Sequence, residues 1–126
     1  MGGEVNCSVC IGGGSYESPE FFNESIVKSR KEHKCCECFR VIPKGLQYQH
    51  ISGKWDGYIE TYKTCMDCKY IRDGLSCGGV VGLGELWFEV YEVFGDVKST
   101  ACLAKIETAS AKAFFLDKWR EWKGLE

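Results

Sequence analysis

Two Cys-x2-Cys pairs, Cys35-Cys36-Glu37-Cys38 and Cys65-Met66-Asp67-Cys68, constrain this chain more than any other feature; the 26 residues from Phe39 to Thr64 separate them. A Cys-x2-Cys turn points two sulfurs to one side of a tight loop. Two such turns supply the four thiolates of a tetrahedral zinc site, so Cys35, Cys38, Cys65 and Cys68 are the expected ligands. Lys34 and Arg40 flank the first pair, Lys63 and Lys69 the second. Positive charge there favours the thiolate form and offsets the net charge of a four-thiolate zinc centre.

The residues between the pairs read as strands. Phe39 to Ile42 is a short apolar strand that runs into a Pro43-Lys44-Gly45 turn. Leu46 to Ile51 is a second strand, Ser52 to Gly57 a turn, and Tyr58 to Thr64 alternates as a third. The second pair then opens a short helix, Asp67 to Arg72, ended by Gly74.

Knuckle, hairpin and a helix carrying the second pair is an order of parts that resembles a treble-clef zinc finger, from about Lys34 to Asp73. Knuckles of that family often carry glycine soon after the second cysteine, where this chain has Phe39. The run Arg30 to Cys38, with Ser52-Gly53-Lys54-Trp55-Asp56-Gly57 and Thr64-Cys65, also resembles small proteins of unsettled role encoded by bacteriophages and prophages. That likeness implies a viral protein in the cytoplasm of a bacterial host. Its implied partner is a host protein or defence complex that it binds and inhibits, in the manner of an anti-CRISPR protein.

Nine cysteines in 126 residues would suit a secreted disulfide scaffold, but the count is odd and six of the nine fall in Cys-x2-Cys pairs. No apolar signal stretch opens the chain, which favours metal over disulfides. No apolar run approaches the ~20 residues that span a bilayer. With 44% hydrophobic residues the chain can bury a core. The expected fold is α+β: a zinc-stapled knuckle and hairpin packed with two C-terminal helices. It forms one domain over 1–126, with an N-terminal annex (1–33), a finger module (34–74) and a helical part (83–123).

Cys7 and Cys10 form a third Cys-x2-Cys pair, followed by Gly12-Gly13-Gly14. A second zinc would need two more ligands from His33, Cys36, His50, Cys77 and Cys102. Cys77 with either His33 or Cys36 is the preferred set, against a metal-free terminus. Ser18-Pro19-Glu20 reads as a helix start, with Phe21, Phe22 and Ile26 turned inward.

Leu83, Trp87, Val90 and Phe94 recur at helical spacing, with Glu85, Glu89 and Glu92 on another face. Ser99 to Lys123 reads as a longer helix that buries Leu103, Ile106, Ala109, Ala113 and Leu116. Phe114, Phe115, Trp119 and Trp122 exceed what one face can hide. Phe115, Trp119 and Trp122 therefore form a candidate protein-docking patch, with the three glutamates as the other.

The net charge of −2 is not that of a general nucleic-acid binder, but it is unevenly spread. Lys28 to Lys54 holds seven Lys/Arg against two Glu, and Trp55 to Asp96 holds three against eight Asp/Glu. Lys28, Arg30, Lys31, Lys34, Arg40, Lys44 and Lys54, with Tyr48 and Trp55 nearby, could contact phosphates and stack bases. No Ser/His/Asp set is visible, and a treble-clef nuclease would need more histidine in its hairpin than His50. The expectation is a binding protein, not an enzyme.

Overall fold

A computed structural model describes residues 9–12, 19–77, 81–96 and 100–124. Three antiparallel strands, β1 (Phe21–Lys28), β4 (Gln47–Trp55) and β5 (Tyr58–Cys65), form a sheet in the order β1-β4-β5. The short strands β2 (His33–Lys34) and β3 (Val41–Ile42) pair beside it. Three helices follow: α1 (Met66–Leu75), α2 (Leu86–Val93) and α3 (Ala109–Gly124). Single 3-10 segments, Phe94–Asp96 and Thr100–Lys105, lie between α2 and α3.

The β4–β5 hairpin runs further than its sequence suggested. Trp55 pairs with Tyr58, and the turn is the two residues Asp56 and Gly57 alone. Their φ values of 51° and 82° are both positive, as the tightest hairpin turns require. Asp and Gly are among the residues that reach this region most cheaply.

Alternation along β4 divides the sheet into two faces. Ile51, Gly53 and Trp55 share one face with Phe22 and Glu24 of β1 and Glu60 and Tyr62 of β5. Tyr48, His50, Ser52 and Lys54 share the other with Lys63 and Cys65. A Cβ at Gly53 would collide with the indole of Trp55, so the glycine gives that ring its bed on the sheet.

The helix expected from Ser18 does not form. Phe21 to Lys28 is a strand paired along its whole length with β4, and Phe21, Phe22 and Ile26 are exposed. The Pro19 signal is equally suited to a chain entering an edge strand, and the long-range pairing with β4 decides between them. Residues 21–28 therefore belong to the main sheet and not to an annex.

α1 begins where the metal-type pair begins. The Cys65 sulfur accepts from the Cys68 N–H at 3.5 Å and caps the helix, and Asp67 complements the positive N-terminal end. Gly74 does not end α1. It lies within the last turn, where any Cβ would strike the Lys105 carbonyl, so the 3-10 segment sits directly on the helix.

The core lies where α1, α2 and α3 meet. Ile71, Leu75, Leu86, Val90, Phe94, Ile106, Ala111 and Phe115 are all buried there, and Phe94 and Phe115 meet edge to face at 5.5 Å. The expected face of α2 is right for Trp87, Val90 and Phe94, while Leu83 precedes the helix and is half-buried.

The expected helix from Ser99 is broken; Ser99 itself lies outside the described residues. Thr108 takes a φ of +68°, and its hydroxyl accepts from the Ala111 N–H at 3.1 Å to start α3 afresh. That break resets the helical phase. Ala111 and Phe115, four apart, are buried, and Ala109 and Ala113 are exposed. Among the described residues no helix is long and apolar enough to cross a membrane.

Candidate metal centre

The sulfurs of Cys35, Cys38, Cys65 and Cys68 all lie within 4.8 Å of one another and could hold a metal ion. The knuckle between β2 and β3 brings the first two, and the end of β5 with the first turn of α1 brings the others. Four thiolates at zinc–sulfur distance from one centre stand about 3.8 Å apart. Cys38 and Cys65 Sγ are separated by 3.8 Å. The donor set therefore fits a tetrahedral thiolate site in both chemistry and spacing.

A layer of N–H donors surrounds the sulfurs. Cys35 Sγ accepts from the backbone of Glu37 at 3.4 Å, Cys38 at 3.5 Å and Cys65 at 3.3 Å. Arg40 Nε donates to Cys38 Sγ at 3.3 Å, and its guanidinium also pairs with Asp67 at 3.0 Å and lies 3.5 Å over the Phe114 ring. Trp87 Nε1 donates to the buried Cys68 Sγ at 3.3 Å. Such donors spread the charge of clustered thiolates and fix their orientation. Hydrogen bonds from Cys35, Cys65 and Cys68, helped by Arg40, hold the Cys38 thiol far below its usual range. The same exchange of hydrogen bonds pushes Cys65 and Cys68 up. A cation at the centre would relieve that competition by letting all four ionise.

Glu37 was invisible as a functional residue in the sequence. It is buried, and its two oxygens accept from the N–H groups of Gly84 and Leu86, each at 3.0 Å. It thereby caps α2 from inside the knuckle. Burial pushes its carboxyl above the usual range, partly offset by those two hydrogen bonds.

The third pair is placed in part. Cys7 lies outside the described residues. Cys10 and Cys77 are joined by a disulfide, and Cys102 is also disulfide-bonded. His33 and Cys36, the alternatives for a second site, are elsewhere. His33 packs on Tyr48 at 5.3 Å, and Cys36 Sγ meets the Thr64 hydroxyl at 3.5 Å. Desolvation raises the Cys36 pKa to about 11.

Of the expected docking patch on α3, Phe115 is withdrawn into the core, while Trp119 and Trp122 are half-buried. Phe115 is 1% exposed and belongs to the core. Trp122 packs on Phe94 at 5.7 Å, and Trp119 also leans on the core. One turn of α3 faces inward because the Thr108 break set its phase. The glutamate stripe is also divided: Glu85 and Glu92 are exposed, while Glu89 accepts from the Gly12 N–H at 2.8 Å.

The basic residues separate into two groups. Lys28, Arg30 and Lys31 line an open cleft of about 960 Å³ together with His33, Tyr48 and His50, and no carboxylate lines it. Ser29, buried beneath, anchors the cleft backbone through hydrogen bonds to Gly45 and Leu46. Partial desolvation and the charges of Lys63, Lys31 and His50 lower the His33 pKa. Arg40 is committed to the sulfurs and Lys54 to Glu20 at 3.6 Å, while Lys34 and Lys44 are exposed. On the other sheet face a cleft of about 490 Å³ is lined by Phe22, Trp55, Tyr62, Glu24, Glu60, Asp73 and Glu85, with Arg72 the one cation among its lining residues. The uneven charge of the sequence thus becomes one basic and one acidic side. No protein-family model, no curated protein and no solved structure matches this chain.

Proposed function

We propose that this is a non-catalytic, treble-clef-type zinc protein that binds a polyanion, single-stranded nucleic acid above all, in the cleft of Lys28, Arg30 and Lys31. Zinc is the ion because four thiolates in tetrahedral spacing suit it, and the site has no open position for a reacting group. One observation carries the polyanion reading: three cations, two imidazoles and a tyrosine line one cleft without a carboxylate among them. Cationic side chains neutralise phosphates, and flat rings offer stacking surfaces to unpaired bases. The overall acidity is no obstacle, because Glu24, Glu60, Asp73 and Glu85 line the opposite cleft. Anisotropy titrations of labelled single-stranded RNA and DNA across a salt series test this. Affinity falling log-linearly with salt is the expected result, and salt-independent or absent binding overturns it.

A second reading, docking on a host protein, is favoured by β1. Among the described residues no strand covers its outer edge, and Phe21, Phe22 and Ile26 are 45%, 48% and 42% exposed. An exposed strand edge with apolar side chains is suited to pairing with a partner's strand. A host protein or defence complex, as the phage resemblance implies, would meet the chain here. Ile26→Lys would then abolish co-elution with that partner and leave nucleic-acid binding unchanged.

A further inference from the structure

We infer that the acidic face of the sheet carries a binding site for a methylated ammonium group, built on the indole of Trp55 and the rings of Phe22 and Tyr62. Strand alternation puts these three rings on one face of β1, β4 and β5. Trp55 lies down along the sheet because residue 53 is glycine: a Cβ there would stand 2.5 Å from the indole Cη2. The indole thus covers Gly53, in the row between Phe22 on β1 and Glu60 on β5. The Phe22 ring stands at 88° to it with centroids 6.4 Å apart, and the Tyr62 ring at 90° and 5.9 Å. β4 runs between β1 and β5, so the two perpendicular rings rise on either side of the indole. The Tyr62 hydroxyl donates to Glu60 Oε2 at 2.6 Å, which holds that ring upright. All three rings line the same cleft of about 490 Å³.

The charge around the rings has one sign. Ring faces attract cations, the indole most strongly. Glu24, Glu60, Asp73 and Glu85 line the cleft, and Arg72 is the one cation among its described lining residues. That guanidinium is turned to the buried Gln49, which accepts from it at 2.7 Å and donates to Glu24 at 3.1 Å. The cleft shares no lining residue with the basic cleft of Lys28, Arg30 and Lys31.

Methylation follows from what the cleft offers a cation. Three of its carboxylates already receive a donor: Glu60 from Tyr62, Glu24 from Gln49 and Asp73 from Lys69 at 2.6 Å. They supply negative field more than open acceptors. A bare ammonium leaving water needs an acceptor for every N–H it buries. A trimethylammonium group has none to satisfy, and its methyl groups pack on ring faces and on Ile51, Val81 and Leu83 of the same cleft. The ligand class is therefore the trimethylammonium group, as a choline-type molecule or a trimethylated lysine side chain carries it.

The test is calorimetric titration of the full chain with choline, with the uncharged alcohol in which carbon replaces the choline nitrogen, and with a peptide bearing one trimethyllysine. Choline should bind about tenfold or more tightly than its uncharged isostere, because only the charge differs. Equal binding of the two, or no binding of either trimethylammonium probe, overturns the inference. So does tighter binding of the same peptide with its lysine unmethylated. A trimethyllysine peptide that outbinds choline marks a modified protein as the source, and the opposite order marks a choline-type molecule. All of these comparisons use the wild-type chain and do not depend on how a variant folds. Position is read from the indole N–H signals in nitrogen-15 correlation spectra. The Trp55 signal, assigned by its loss in Trp55→Phe, should move on addition of choline while those of Trp87, Trp119 and Trp122 stay. Movement of another indole with Trp55 unmoved overturns the placement. Glu60→Gln, which keeps an acceptor for Tyr62 and removes only charge, should weaken choline binding; unchanged affinity in that variant together with an unmoved Trp55 signal contradicts the site.

Discussion

The indole Nε1 of Trp87 donates to the sulfur of Cys68 at 3.3 Å, both side chains buried. This one bond ties α2 to the metal ligands and explains why an apolar helix face carries a tryptophan at its first turn. A buried indole N–H needs an acceptor, and a thiolate needs donors to share its charge.

Trp87→Phe should keep most of the packing and remove only that donor. Zinc affinity is then expected to fall about 10- to 100-fold, in line with other losses of hydrogen bonds to metal ligands. Competition with a chromophoric chelator measures it. Unchanged affinity would show that the bond is incidental.

Glu37→Ala removes the acceptor for the Gly84 and Leu86 N–H groups. Leaving buried donors unpaired costs about 1–3 kcal/mol, so a stability loss of about 2–3 kcal/mol is expected in urea unfolding, with zinc content intact. Loss of zinc in this variant would mean that Glu37 shapes the knuckle and not α2.

Phe115→Ala should cost about 3–5 kcal/mol, the usual range for a core ring. Trp122, only half-buried and packed on Phe94, should cost less when truncated. Thermal unfolding of both variants checks the order. The reverse order would contradict the placement of α3.

Reversing Lys28 and Lys31 to Glu should weaken nucleic-acid binding and make its salt dependence shallower, by about one unit of slope for each phosphate that is no longer neutralised. Lys54→Glu, at a residue paired with Glu20 outside the cleft, should have a smaller effect. Equal effects of all three would mean that net charge matters and the cleft does not.

Much of the metal centre was legible because its chemistry is local. Two Cys-x2-Cys turns name their own ligands, and the alternation of Tyr58 to Thr64 delivers the second pair to a helix start. The apolar spacing of Trp87, Val90 and Phe94 was equally readable. What the sequence hid depends on distant partners. β1 resembles a helix start until β4 pairs with it, and its exposed Phe21, Phe22 and Ile26 give no buried-face pattern. Phe115 reads as surplus because the Thr108 break, a positive φ at a residue that seldom adopts one, shifts the helix phase. Glu37 is one more acidic residue until Leu86, 49 positions away, is placed against it.

Four thiolates around one zinc ion would make a centre worth about 10–16 kcal/mol of apparent binding energy, as in comparable small sites. X-ray absorption at the zinc edge of the reduced, purified protein tests this most directly. The prediction is a shell of four sulfurs at about 2.3 Å with no nitrogen or oxygen neighbour. A shell containing nitrogen or oxygen at about 2.0–2.1 Å, or protein that purifies without zinc, would contradict it.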